Sequence, residues 1–175
     1  MNKKINGIGV ILSLVFMLCL IMSCSSEGNG GLTHDEATAI SDRVLKVWNE
    51  QDFTICEDLY GSNFVRHHPT PSTNGTLADL KNTVSSLHTA FPDARFSFNE
   101  MIIRDKRIIV FATLNATNTG LIEGNPATGK EVFMSGVYVY RIDQGKIVEE
   151  WTYFNLLSYY QQLGFALIPP QQESN

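Results

Sequence analysis

Glu149, Trp151, Tyr153 and Asn155 recur at a spacing of two, which turns all four to one face of an extended strand. A carboxylate, an indole, a phenol and an amide side by side suit the wall of a cavity better than a solvent face. The amide and phenol can hold a substrate oxygen, and the carboxylate can take a proton. Glu149 and Glu150 are neighbours, so one points in and the other out. An inward carboxylate among aromatics is driven toward its neutral form unless a cation such as Arg95 or Arg141 pairs with it. These faces assume an unbroken strand; a bulge would exchange them.

His67 and His68 are the other candidates. Adjacent residues of an extended segment point to opposite faces, and no Cys or third His lies at ligand spacing, so joint metal binding is not expected. One of the pair can face a pocket as a general acid/base; the competing reading is a surface turn before Pro69. Asp93 fits turn chemistry after Phe91-Pro92. Arg95 enters the next strand on the face of Ser97 and Asn99, as a substrate clamp or as part of a solvated face. Ser-His-Asp order, a phosphate-cradling glycine loop and HExxH are all missing from the sequence.

These residues need a scaffold, and the hydrophobic pattern supplies one. Thr33-His34-Asp35-Glu36 is a capping box, followed by Ala37, Ile40, Val44, Val47 and Trp48 at helical spacing. A short helix is expected near Phe53–Leu59, and an extended piece at Phe64–Pro69. Leu77, Leu80, Val84, Leu87 and Phe91 form the stripe of a further helix, which Pro92 stops. From Ala94 the period changes to two, predicting strands at 95–103, 107–118, 131–142 and 146–154. Tight turns fall at Arg104-Asp105-Lys106 and Asp143-Gln144-Gly145. A last helix over Leu156–Leu163 is capped by Gly164. Helices first and antiparallel strands after give an α+β fold, with the helices on one face of a curved sheet.

The 175 residues suit one domain, and a net charge of −5 gives no reason to expect nucleic acid. Lys3 and Lys4 precede an apolar run from Ile5 to Met22, which reads as a secretory signal. The run ends Ile21-Met22-Ser23-Cys24, resembling a bacterial lipobox with Cys24 as the lipidated residue. A plain signal peptide or an uncleaved anchor is the alternative. The expected organisation is a signal at 1–23, a tether at 24–32, the folded domain at 33–168 and a polar tail at 169–175. Cleavage would leave Cys56 as the one unlipidated cysteine, and its apolar neighbours mark it as a small buried hydrophobe.

The chain from about Ala39 to Gly164 resembles the SnoaL-like polyketide cyclases, also called ester cyclases, of the NTF2-like superfamily. The resemblance rests on Phe64–Pro69, Phe91-Pro92-Asp93-Ala94-Arg95, Gly124–Lys130, Tyr140-Arg141-Ile142, Gly145–Trp151 and Gln161-Gln162-Leu163-Gly164. It implies an NTF2-like cone-shaped barrel enclosing an apolar cavity, and cyclisation by intramolecular aldol chemistry with no metal or cofactor. Against the family's Glu-His-Trp-x-x-x-Asp pattern, Glu149 and Trp151 match, Glu150 replaces the His and Asn155 replaces the acid/base Asp. An amide cannot take a proton near neutral pH.

Two functions follow as expectations. One is a cofactor-independent cyclase, isomerase or hydrolase acting on a small apolar carbonyl compound. His67 would be its base, Asn155 and Tyr153 its polarising groups, and Trp151, Glu149 and Arg95 its substrate contacts. The other is a non-catalytic, membrane-tethered module that binds a small ligand or a partner. Either would sit in the bacterial cell envelope, held by lipid on Cys24 and facing the periplasm or the cell surface. A homodimer is compatible with both.

Overall fold

The computed structural model of the chain describes residues 31–67, 74–166 and 168. The expected signal segment, Cys24, His68 and the tail at 169–175 lie outside the described residues.

Helix α1 (His34–Glu50) starts at Thr33, whose side chain accepts from the Glu36 amide while the Glu36 carboxylate accepts from the Thr33 amide. This reciprocal pair satisfies donors that a helix start otherwise leaves open. Gln51 ends the helix in the left-handed region at φ 54°. A 3₁₀ turn (Phe53–Ile55) and a one-turn helix α2 (Cys56–Leu59) follow, and strand β1 (Tyr60–His67) begins at once. The extended piece is therefore longer than expected and absorbs Gly61-Ser62-Asn63. A two-residue strand, β2 (Asn74–Gly75), precedes helix α3 (Leu77–Ala90), capped by the equivalent Thr76/Asp79 pair.

Strands β3 (Arg95–Arg104), β4 (Arg107–Thr117), β5 (Glu131–Asp143) and β6 (Lys146–Phe154) lie close to the predicted limits. At the β5–β6 turn Gln144 and Gly145 both have positive φ, 48° and 76°, the primed-turn geometry that matches strand twist. Helix α4 (Leu156–Leu163) ends at Gly164 with φ 94°.

The six strands form one sheet in the order β2-β1-β6-β5-β4-β3. All neighbours are antiparallel except β1 and β6, which run parallel. The α+β architecture is as expected. Apolar residues of α1 and α3 pack on the inner face of the sheet, where Ile108 and Val110 of β4 and Tyr140 and Ile142 of β5 are buried. Among the described residues no helix is long and apolar enough to cross a membrane.

One irregularity decides what this sheet presents inward. Ile142 of β5 pairs with Ile147, but Arg141 pairs with Glu149, so Val148 is an extra residue in β6. Ile147 and Val148 are consequently both buried, at 0% and 8% exposure. Beyond this bulge the alternation is reversed.

Candidate functional site

The bulge at Val148 turns Glu150 and Thr152 inward, at 0% and 1% exposure, and leaves Tyr153 57% exposed. The cavity wall expected from Glu149, Trp151, Tyr153 and Asn155 is thus the outer side of the strand. Asn155 is exposed and caps α4, its Oδ1 accepting from the Ser158 amide at 2.9 Å. Arg95 is exposed on β3 opposite Asn115 and borders a surface groove with Asp93 and Gln162.

His67 follows the same correction, because β1 pairs with β6 so that His67 stands beside Trp151 and Arg66 beside Glu150. The imidazole stacks on the Trp151 ring at 4.8 Å and 11°, with Nε2 3.5 Å from Glu149 Oε1. Arg141 Nε donates to the other oxygen of Glu149. Neither His67 nor Asn155 is among the residues lining the cavity described below. The arrangement that would have set them facing each other across it does not form. His67, Trp151, Glu149 and Arg141 are instead a cluster on the outer face.

Hydrogen bonding from Arg141 is the main reason the Glu149 carboxyl is held below its usual 4.5, against desolvation that raises it. A depressed folded value means the pair stabilises the fold above pH 4.5 and stops doing so as pH falls through the folded value. Glu149→Gln should therefore cost about 0.5 kcal/mol at pH 6, the scale of partly exposed pairs. In thermal melts the gap to wild type should narrow as pH falls below 4.5. A gap that stays constant down to acid unfolding would show that the carboxylate's charge is not what matters.

Inside the sheet, Phe64 and Arg66 of β1 share the inward face, at 5% exposure each. Arg66 Nε donates to Glu150 Oε1 at 2.9 Å, and Nη1 donates to Thr83 Oγ1 of α3 at 3.3 Å. Thr152 Oγ1 donates to the same Glu150 oxygen at 3.1 Å. The guanidinium carbon lies 5.4 Å from the Trp48 ring centroid, a cation–π approach in a desolvated setting. Tyr60, Tyr138 and Tyr140 are buried around the pair. Burial pushes their phenols up, and the Glu150 charge adds to it, so they stay protonated.

Arg66 of this ion pair lines a cavity of about 630 Å³ between the sheet, α3 and α4. Its walls are mainly apolar and aromatic, with Leu87, Phe91, Phe96, Leu114, Met134 and Phe154 prominent. Among the described residues that line it, Arg66 is the one cation and Glu123 the one carboxylate. Glu123 is exposed, in the connection between β4 and β5, and its Oε1 accepts from Tyr160 Oη of α4 at 2.6 Å. That bond, aided by burial, pushes the Tyr160 phenol up to about 12. A pocket with apolar walls and a few fixed polar groups is the usual form of a small-molecule site.

The sequence carried a signal for Arg66, since Phe64 two residues earlier marks the inward face of an extended segment. The adjacent histidines drew the assignment one position too far. Glu123 and Tyr160, 37 positions apart, had no such marker. Cys56 is buried and its thiol pushed up by that burial, matching the structural role expected. Among the described residues no cluster of His, Cys, Asp or Glu could hold a metal ion.

The family model for SnoaL-like polyketide cyclases matches residues 38–163, and the chain belongs to that family. Among solved structures it is similar to AclR from Streptomyces galilaeus, with 23% identity, TM-score 0.68 and coverage of 78% of this chain and 87% of that one. A candidate polyketide cyclase from Acidithiobacillus ferrooxidans is 27% identical at TM-score 0.63, covering 81% and 97%. A SnoaL-like polyketide cyclase from Agrobacterium tumefaciens is 20% identical at TM-score 0.59, covering 73% and 98%. No curated protein matches the chain. Proteins of the family bind small ligands in a cavity, and Arg66 is among the residues that line the cavity described above.

Proposed function

We propose that the protein is a cofactor-independent cyclase or isomerase acting on a small, mostly apolar polycarbonyl compound. The observation that carries this reading is the placement of Arg66, the one lining cation among the described residues, in the wall of a mainly apolar cavity. A guanidinium there binds a carbonyl oxygen and stabilises the charge that develops on it during addition. Glu123, the one lining carboxylate, takes a proton from a carbon next to a second carbonyl of the same molecule. The resulting carbanion attacks the carbonyl carbon whose oxygen Arg66 holds, forming a carbon–carbon bond. The alkoxide then receives the proton that Glu123 carries, so the product is an isomer of the substrate and the protein is regenerated.

Incubation with a panel of aromatic 1,5- and 1,6-diketones, followed by NMR and mass spectrometry, tests this. Cyclic aldol should form with wild type, and Glu123→Gln should slow it at least about a hundredfold, the scale of losing a positioned acid/base. Cyclisation that persists in Glu123→Gln would remove Glu123 from the reaction. Diketones that bind without turnover would establish the second reading, a ligand-binding module without chemistry. Two observations favour that alternative: Asn155 is engaged as a helix cap, and Glu150 is paired with Arg66.

We further propose that the protein is lipidated on Cys24 and held at the cell envelope, from the apolar run that stops at that residue. Cys24→Ala should abolish labelling by a palmitate analogue and release the protein from the membrane fraction; retention of label would refute it.

A further inference from the structure

We infer that Glu150 is a specificity-determining residue. By neutralising Arg66 it makes the cavity select an uncharged carbonyl group and reject a carboxylate. The inference rests on the reading of this cavity as a small-ligand site.

Arg66 alone would be a carboxylate receptor, since guanidinium and carboxylate match in charge and geometry. It is not alone. Glu150, fully buried directly behind it, accepts from its Nε at 2.9 Å. The second oxygen of Glu150 has no hydrogen-bond partner among the described residues, so the carboxylate's counter-charge comes from Arg66. Among the described residues the remaining contacts of the guanidinium, with Thr83 Oγ1 and the Trp48 ring, are to uncharged groups. The Arg66 site in the cavity wall thus has hydrogen-bond donors but no net charge. A neutral carbonyl oxygen entering there gains a charge-assisted hydrogen bond without adding charge to a buried site. A carboxylate would add a second buried anion against a single cation, an arrangement that desolvation penalises heavily. Glu123 acts in the same sense, placing a carboxylate among the lining groups that any anionic ligand meets.

Two naphthalenes of nearly equal size test this, 2-acetylnaphthalene as the neutral carbonyl and 2-naphthoate as the anion, with binding read by fluorescence titration and by thermal shift at pH 7. Wild type should bind the ketone at least tenfold more tightly than the carboxylate. Glu150→Gln keeps the shape and an acceptor for Arg66 Nε but removes the charge, and should invert the order, with naphthoate raising its melting temperature. A wild type that prefers naphthoate, or a Glu150→Gln variant that keeps the wild-type ratio, overturns the inference. If Glu150→Gln does not fold without ligand, Arg66→Met/Glu150→Leu replaces the pair with apolar side chains. That variant should still reject naphthoate and should bind the ketone at least fivefold more weakly than wild type; unchanged ketone affinity counts against the inference. Binding of neither naphthalene to wild type would refute the small-ligand reading and the inference with it, whereas binding without charge preference refutes the inference alone.

Discussion

Arg66→Met is expected to destabilise the fold by about 4 kcal/mol, because removing one partner of a buried ion pair strands the other. Glu150 has 0% exposure, and its remaining hydrogen bond comes from Thr152. Adding Glu150→Leu should recover most of the loss, because apolar replacement of both partners is often neutral. Urea unfolding of wild type, both single variants and the double gives the coupling directly. A loss below about 1 kcal/mol for Arg66→Met would mean that water or rearrangement already compensates Glu150.

Gly120→Ala is expected to cost about 3 kcal/mol, at the upper end of overpacking effects, and to open the cavity. A β-carbon at Gly120 would lie 1.8 Å from the Thr89 carbonyl oxygen and 3.2 Å from the Ala90 α-carbon. Both obstacles are backbone, so no side chain can turn aside. The approach is this close because the end of α3 is a docking point. The amides of Thr119 and Gly120 and the Asn118 side chain all donate to the Ala90 carbonyl, at 3.2, 3.0 and 3.1 Å. Buried Asn118 also holds the far end of the connection, its Oδ1 accepting from the Thr128 amide at 2.7 Å. Between these anchors lie Leu121, Ile122 and Glu123, which line the cavity. Displacing the anchor should weaken ligand binding as well as stability. Gly124→Ala is the control: nothing lies within 4 Å, though its φ of +79° disfavours a side chain. It should cost about 1 kcal/mol and leave ligand binding unchanged. Equal losses in the two variants would show that the connection, not its anchor, is the sensitive element.

The stripe of Leu77, Leu80, Val84, Leu87 and Phe91, the Thr33–Glu36 capping box and the Asp143-Gln144-Gly145 turn were legible in the sequence for a common reason. Each depends on residues within a few positions, where periodicity and local hydrogen bonding act. They determine helices, strands and their order, and with them the α+β fold. The inward face of β6 was not legible, although the strand itself was. Glu149-Trp151-Tyr153 and Glu150-Thr152-Phe154 are both mixed polar and apolar sets, so neither phase is favoured locally. The Val148 bulge chooses between them, and nothing in the sequence around it marks it.

That choice belongs to the tertiary structure. Glu150 can be buried only where Arg66 arrives from 84 residues away, on a strand that runs parallel to β6 and beneath the Trp48 ring. By itself the sequence determined the scaffold: the helices, the strands and their order. Packing decided which of two adjacent glutamates faces inward, because burying a carboxylate is tolerable only beside a counter-charge, and Arg66 stands on that side of the sheet.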